Sequence, residues 1–294
     1  MQDVETIFGR YEAVRSRLPE ADAVSTTAEI SSLLDLAGKV DAFVFDAFGV
    51  LNVGDTLIEG ADIRLDELRS QGCQIRILTN AASYDRAHAV EKFRRLGVRV
   101  RDEEIITSRD AALQSLQDLH WGVIATSEDR LADIPFRWTR LESDKSAYAD
   151  VEGFLFLSSA EWTEERQTML EAAMNASPRP LVVANPDLVA PRDHGFSIEP
   201  GYYGHRIADR HPDQVSFYGK PFPEAYRLVE KTLPGIPPAR IAMCGDTLHT
   251  DIIGAAARGW QTVLVTKDGL FAGHEADVFA ERAGIFANWQ LARI

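Results

Sequence analysis

The chain has 294 residues, of which 45% are hydrophobic and 26% charged, a composition ordinary for a globular protein with a buried core. At this length we expect one large domain or two domains. The net charge of −14 argues against nucleic acid or an anionic membrane surface as the main partner, because both are polyanions.

Compartment is indicated by three features. The two cysteines are too few for a disulfide framework, which suits a reducing environment. The first ten residues have neither a basic start nor an apolar core, so they do not fit a signal peptide. No uninterrupted apolar run approaches the roughly 18–20 residues that cross a membrane. The sequence therefore predicts a cytoplasmic globular protein.

Two helices are predicted before the first strand. The first should end at Pro19, because apolar residues recur at three- and four-residue steps before it: Val4, Ile7, Tyr11, Val14 and Leu18. The second should begin near Thr26, which forms capping-box spacing with Glu29, and should end at Gly38.

Short apolar runs then alternate with helical patterns. The run at 42–45 ends on Asp46, the run at 75–78 ends on Thr79, and the run at 241–244 leads into Asp246. Continuous apolar runs are typical of strands buried on both faces, as in a parallel sheet, and the alternation predicts a doubly wound α/β fold. Such sheets bind ligands beyond the carboxyl ends of their strands, where these three side chains fall.

The stretch from 117 to 213 has its own set of strand-like runs and lies between two parts of the predicted sheet. It contains strand-like runs at 123–125, 154–157 and 181–183. We therefore expect an α/β core formed by residues 1–116 and 214–294, interrupted by an inserted α/β domain over 117–213.

Four short sequences carry the functional signal: residues 45–51 (FDAFGVL), 78–80 (LTN), 219–221 (GKP) and 245–251 (GDTLHTD). In this order and at strand ends they resemble the four motifs of the haloacid dehalogenase (HAD) superfamily of hydrolases. The sequence around them resembles subfamily IIA, the NagD-like and 4-nitrophenylphosphatase-like proteins. The resemblance covers about residues 40–290 and implies a parallel-sheet core with an inserted cap domain.

The motif residues have a physical rationale. A carboxylate at a strand end can attack phosphorus and become an aspartyl-phosphate, and Asp46 is the candidate. Lys220 would offset the charge of the carboxylates and of a substrate dianion. Thr79 and Asn80 offer donors to phosphoryl oxygens, while backbone amides after Asp46 can cradle the group, helped by Gly49.

Further roles are implied by the resemblance. A magnesium ion would be bound by Asp46, the Phe48 backbone carbonyl, Asp246 and Asp251, oxygen ligands of the kind that Mg²⁺ prefers. The cap would close over the site, with Asn185 and Asp187 among the substrate-contacting residues of 185–191. A homodimer through the cap is also expected.

At Phe48 the sequence departs from the family pattern. HAD phosphatases carry a second aspartate there, which protonates the leaving oxygen, and a phenyl ring cannot transfer a proton. We therefore rank a magnesium-dependent phosphatase-like hydrolase of a small phosphorylated metabolite first and a non-catalytic phosphate-ligand-binding protein second. A 2-haloacid dehalogenase, whose motif D-A-Y-G-T-L is similar to residues 46–51, is third.

Three other residue types are interpreted without catalytic roles. His249 is expected at the surface or at a helix start. Cys244 is expected to be a small buried hydrophobic residue. The Tyr202–Tyr203 pair is expected to pack within the cap.

Overall fold

The structure is a computed structural model that describes residues 3–21, 24–192 and 195–294. The strands are β1 (Ala28–Glu29), β2 (Ala42–Phe45), β3 (Asn52–Val53), β4 (Thr56–Leu57), β5 (Gln74–Thr79), β6 (Ile105–Thr107), β7 (Trp121–Ile124), β8 (Trp138–Arg140), β9 (Gly153–Phe156), β10 (Leu181–Val183), β11 (Val189–Arg192), β12 (Gly195–Ile198), β13 (Val215–Phe217), β14 (Ile241–Gly245), β15 (Gln261–Val265) and β16 (Trp289–Leu291).

The α-helices are α1 (Val4–Ala13), α2 (Ala61–Ser70), α3 (Arg86–Arg95), α4 (Ser108–Ser115), α5 (Lys145–Asp150), α6 (Glu164–Ala176), α7 (Pro200–Ala208), α8 (Pro223–Lys231), α9 (Ile253–Ala256) and α10 (Ala276–Ala283). A π-helical turn, Leu248–Ile252, leads directly into α9. None of the described helices is both long enough and apolar enough to cross a lipid bilayer.

The larger sheet has seven parallel strands in the order β1-β16-β15-β14-β2-β5-β6. From β2 the chain proceeds outward through β5 and β6, then returns on the other side of β2 at β14. The strand order therefore reverses between β2 and β14, the kind of point where doubly wound sheets bind ligands. In this pair Cys244 is level with Phe45, so Asp46 and Asp246 emerge side by side.

Helices cover both faces of this sheet, because successive side chains of a strand point to opposite faces. Phe43 and Phe45 of β2 pack with α2 and α3, whereas Ala42 and Val44 pack with α4, α8 and α9. The predicted doubly wound α/β core is confirmed.

The second sheet has five parallel strands in the order β13-β10-β9-β7-β8. Its core includes Phe154, Phe156 and Leu170, and the antiparallel hairpin β11–β12 projects from the same part of the chain. Since β13 lies beyond residue 213 and still pairs with β10, we propose that the inserted cap runs from about 117 to 217.

The N-terminal predictions have mixed outcomes. The first helix is present as α1, with Val4, Ile7 and Tyr11 buried, but it ends at Ala13 and a separate 3₁₀ turn, Arg15–Arg17, follows, so the predicted end at Pro19 is wrong. The second predicted helix is wrong: β1 and a 3₁₀ turn, Leu33–Leu36, occupy the region instead. The capping box is formed by Ser32 and Asp35, three residues apart, rather than by Thr26 and Glu29. Parallel pairing of β1 with β16 overrides the local helical signal.

Candidate active site

Three carboxylates meet beyond the ends of β2 and β14. Asp46, Asp246 and Asp251 each place a carboxylate oxygen within 4.8 Å of the others. Asp46 follows β2 directly, Asp246 follows β14, and Asp251 comes from the π-helical turn that starts after Thr247. The structure thus brings together the side chains that the sequence predicts as metal ligands.

Lys220 is the positive charge of this cluster. Its Nζ lies 2.6 Å from Asp46 Oδ1 and 2.7 Å from Asp251 Oδ1, and its side chain is almost completely buried. Burial by itself lowers the pKa of Lys220, but the carboxylates of Asp251 and Asp46 outweigh this and raise the pKa above its ordinary value. The ammonium is therefore held charged between two acids.

One lysine does not balance three carboxylates. Burial, opposed in part by Lys220, raises the pKa of Asp46 to about 6. Burial, reinforced by Asp251 and Asp46, raises the pKa of Asp246 to about 8. Such crowding is typical of a site that holds a cation, because oxygen ligands lose their mutual repulsion when a hard cation binds between them.

Backbone groups orient the carboxylates. Asp46 Oδ1 accepts a hydrogen bond from the Ala47 N–H (2.6 Å), and Asp246 Oδ2 accepts one from the Leu270 N–H (2.7 Å). Asp251 Oδ2 accepts one from the Thr247 N–H (3.1 Å). The acids are thereby fixed in position by neutral donors, which leave their charge available to a ligand.

Two glycines permit the close packing here. Gly49 has φ of +80°, and a Cβ at this position would lie 2.7 Å from Asp246 Oδ2. A Cβ on Gly269 would lie 2.1 Å from the same oxygen. Any larger residue would displace Asp246, so the predicted importance of Gly49 has a steric basis in addition to its backbone conformation.

Thr79 and Asn80 lie beside the cluster, at the end of β5. Thr79 is buried and its hydroxyl accepts a hydrogen bond from the Ala81 N–H (3.2 Å), leaving the hydroxyl proton free for a ligand. Asn80 uses its amide differently: Nδ2 donates to Asp187 Oδ1 (2.8 Å) and to the Lys220 carbonyl (2.9 Å), while Oδ1 accepts from the Lys220 N–H (2.8 Å). Asn80 thus positions Lys220 and a cap residue.

The cap contributes the turn that follows β10. Asn185 Oδ1 accepts a hydrogen bond from the Asp187 N–H (3.0 Å), and Asn185 Nδ2 donates to Glu199 Oε2 (3.1 Å). Burial raises the pKa of Asp187 well above its ordinary value, opposed by Lys220 and reinforced by Asp46. Of the two residues predicted to contact substrate, Asp187 lies near the cluster of carboxylates, whereas Asn185 shapes the turn that carries Asp187.

One cavity is lined by residues of both the core and the inserted segment. It has a volume of about 690 Å³, and its walls include Asp46, Phe48, Thr79, Asn185, Asp187 and Asp246. It is also lined by residues that the sequence does not mark as functional, among them Asp55, Tyr84, Lys92, Arg130 and Arg192. No local pattern marks these residues, because they come from core and cap segments far apart in sequence.

His249 lies at the start of a helical turn, one of its two predicted positions, but the other, a surface position, is wrong. The residue is fully buried, with Nε2 2.5 Å from Glu12 Oε1 and its ring stacked on Tyr11 at a centroid distance of 5.0 Å. Helix α1 covers it. The helical periodicity of residues 4–18 was visible, but not the surface onto which that helix docks.

Two other interpretations are confirmed. Cys244 is completely buried within β14, and burial raises the pKa of its thiol, so it behaves as a small apolar residue. Tyr203 packs in the cap core against Phe156.

The fold and this site define a class of protein: a doubly wound α/β protein with a cluster of carboxylates at the point where the strand order reverses. Two family descriptions match the chain, "haloacid dehalogenase-like hydrolase" over residues 43–132 and "HAD-hydrolase-like" over residues 217–287. The chain belongs to the HAD-like hydrolases, an enzyme family.

Named relatives are phosphatases. The chain is 37% identical to phosphoglycolate phosphatase 1A of Arabidopsis thaliana over 103 residues, which are 35% of this chain and 28% of that protein. The match therefore spans less than a third of that relative. This chain is also 26% identical to mouse chronophin over 259 residues, which cover 85% of this chain and 88% of chronophin.

Solved structures share the fold. A possible sugar phosphatase of the HAD superfamily from Cytophaga hutchinsonii superposes with a TM-score of 0.79 at 23% identity, covering 90% of this chain and 98% of that one. NagD from E. coli superposes with a TM-score of 0.67 at 19% identity, covering 87% and 97%. The glycerol phosphate phosphatase Rv1692 of Mycobacterium tuberculosis, in complex with calcium, superposes with a TM-score of 0.60 at 22% identity. The superposition covers 80% of this chain and 68% of that one.

Proposed function

We propose that this protein is a magnesium-dependent phosphatase for a small phosphorylated metabolite, acting through an aspartyl-phosphate at Asp46. The observation that carries the proposal is the Lys220 ammonium held between Asp46 and Asp251, with Asp246 beside them in the same cavity. This arrangement supports a phosphoryl-transfer site in which Asp46 is the nucleophile, Lys220 the positive charge and the acidic side chains the metal ligands.

The donor set fits a hard divalent cation. Asp46, Asp246 and Asp251 supply carboxylate oxygens within 4.8 Å of one another, and the Phe48 carbonyl would supply a further oxygen. Their excess negative charge is what a dication offsets. When bound, magnesium supplies electrostatic stabilisation of the phosphoryl oxygens.

The protein's own groups support the chemical steps as follows. A carboxylate oxygen of Asp46 attacks phosphorus, and the bond from phosphorus to the leaving oxygen breaks. Lys220 offsets the charge of the nucleophile and of the transferring group, while the Thr79 hydroxyl and the backbone amides after Asp46 bind phosphoryl oxygens. Water then cleaves the aspartyl-phosphate, which releases phosphate and regenerates Asp46.

Phe48 sets the limit of this chemistry. Its ring cannot protonate the leaving oxygen, so departure of an alkoxide lacks assistance worth about 10²–10⁴-fold. This observation supports a second candidate, a protein that binds a phosphorylated ligand with little or no turnover. The names of the relatives, phosphoglycolate, glycerol phosphate and sugar phosphatases, support a small phosphorylated metabolite as the ligand in either case.

The test is phosphate release from 4-nitrophenyl phosphate, phosphoglycolate and glycerol 3-phosphate, with and without magnesium. We expect magnesium-dependent release, fastest from the nitrophenyl ester, and loss of release in Asp46→Asn. Absence of release from all three esters, combined with a higher melting temperature in their presence, would establish the binding protein instead.

A further inference from the structure

The ring of Phe48 holds two cations at the cavity. Lys92 Nζ lies 4.0 Å from the ring centroid, and Arg192 Cζ lies 4.8 Å from it. Lys92 belongs to α3 of the core, whereas Arg192 ends strand β11 of the cap hairpin. Core and cap thus each bring a positive charge to the same aromatic side chain.

These cations differ in their partners. The Arg192 guanidinium donates to Glu199 Oε1 (3.1 Å) and to Ser197 Oγ (2.8 Å), which fixes its direction. Lys92 is partly buried and, among the residues that the structure describes, forms neither an ion pair nor a hydrogen bond. Asp55 and Arg95 line the same cavity as Lys92. Lys92 therefore remains available to a ligand.

The energetics favour an anion at this place. A cation–π contact contributes about 0.5–2 kcal/mol and holds each cation near the ring. Glu199 offsets part of the charge of Arg192, whereas the Lys92 ammonium has no such ion pair among the described residues. Two like charges repel, and placing an anionic group within reach of both replaces that repulsion with charge-assisted hydrogen bonds. The arrangement is thus favourable when an anion is bound between ammonium and guanidinium.

The position of the ring sets the size of the ligand. Phe48 follows Asp46 by two residues, so their Cα atoms are separated by at most about 7 Å. Lys92, Arg192 and Asp46 line one continuous cavity. A phosphoryl group at Asp46 and an anion at Phe48 can therefore belong to one small molecule with a spacer of a few atoms.

We propose that Lys92 and Arg192, held over the Phe48 ring, form a second anion subsite that selects phosphorylated metabolites with a second anionic group, a carboxylate or a second phosphate. This inference rests on the proposed function and gives its substrate class. It also assigns Phe48 a binding role in place of the missing acid: the ring is the platform on which both cations are positioned.

Binding of inert phosphonates tests the subsite without turnover. Calorimetry with saturating magnesium would compare propylphosphonate with 3-phosphonopropionate and with propane-1,3-bisphosphonate, the last two carrying a carboxylate or a second phosphonate. We expect at least one doubly anionic ligand to bind the wild type about tenfold more tightly than propylphosphonate, which corresponds to about 1.4 kcal/mol. Comparing the two shows which anion is preferred.

Variants assign the preference to the two cations. Lys92→Gln and Arg192→Gln should each remove most of the preference while the affinity for propylphosphonate stays within about twofold. Phe48→Leu, which keeps the backbone carbonyl but removes the ring, should also reduce the preference for doubly anionic ligands. Lys231→Gln is the matched control, because Lys231 is exposed at the end of α8, outside the cavity.

The outcomes separate this inference from the proposed function. Equal affinity of the wild type for all three phosphonates, or a preference that persists in both cation variants, overturns the second subsite even when nitrophenyl phosphate is hydrolysed. A preference that depends on Lys92 and Arg192, in a protein that hydrolyses no ester, supports the subsite and contradicts the phosphatase.

Discussion

His249 Nε2 and Glu12 Oε1 lie 2.5 Å apart, joining the turn that carries Asp251 to helix α1 across 237 residues of sequence. Next to Glu12, the Tyr11 ring stacks on His249, and the Tyr11 hydroxyl accepts a hydrogen bond from the Leu188 N–H of the cap (3.2 Å). Helix α1 therefore contacts both the turn that carries Asp251 and the segment that follows Asp187.

Tyr11→Phe tests this connection. Removing the hydroxyl leaves the buried Leu188 N–H without its acceptor, which costs about 1–3 kcal/mol. We expect the melting temperature to fall by several degrees in thermal unfolding. The control is Tyr84→Phe, since Tyr84 is exposed. An equal effect of the two substitutions would contradict a specific role of the Tyr11 hydroxyl.

Stability should fall as the pH is lowered below about 6.5, in part because of His205. Burial, reinforced by Arg17, lowers the pKa of His205 to about 3, whereas histidine in an unfolded chain has a pKa near 6.5. Between these values the unfolded state binds a proton that the folded state does not, so acid favours unfolding. From pH 7 to pH 5 the loss from this residue is about 2 kcal/mol.

Urea unfolding of the wild type and His205→Gln at pH 7 and pH 5 measures this contribution. The variant should be less stable at pH 7, because its amide replaces a ring stacked on Phe217, but should lose less stability on acidification. His274→Gln, at an exposed position, should keep the wild-type pH dependence. The same slope in wild type and His205→Gln would show that His205 is not the titrating group.

Asp246→Asn should weaken magnesium binding by at least about tenfold, because hard cations depend on anionic oxygens and the amide removes one charge at nearly constant shape. Titration calorimetry measures the magnesium affinity of both proteins. Asp277→Asn, on the exposed side of α10, is the isosteric control. Unchanged magnesium affinity in Asp246→Asn would remove Asp246 from the metal site.

Phe48→Asp should raise the turnover of alkyl phosphates most. A nitrophenolate departs with little protonation, whereas an alkoxide requires it, so the wild type should prefer the aryl ester by orders of magnitude. The new carboxylate should restore up to about 10²–10⁴-fold for the alkyl ester. It also adds a negative charge beside Asp46, which opposes phosphate binding, so kcat and KM should be measured separately for both esters.

Phe48→Asn is the matched control, since an amide has similar size and cannot supply the proton. Efficient alkyl-ester hydrolysis by the wild type would contradict this role of Phe48 and would transfer proton donation to another acid, with Asp187 the cap carboxyl to test. Halide release from a 2-haloacid without magnesium would identify a dehalogenase.

The elements and the strand-end acids could be predicted from sequence because both are local signals. Apolar runs of four residues at 42–45 and 241–244 mark strands buried on both faces, and parallel strands place their carboxyl ends at one edge. The residues that follow, Asp46 and Asp246, must then be neighbours once the two strands pair. These local signals were nearly sufficient to predict the doubly wound fold and the carboxylate cluster.

What the tertiary structure decided are the contacts between segments far apart in the chain. His249 lies in a motif rich in polar residues, yet α1 buries it. Thr26 and Glu29 have capping-box spacing, yet pairing with Trp289 and Gln290 makes Ala28 and Glu29 an edge strand. Lys92 and Arg192 meet at Phe48 only because the cap hairpin folds over the core. Periodicity records which face of an element is apolar, whereas the partner of that face depends on docking, which no local pattern encodes.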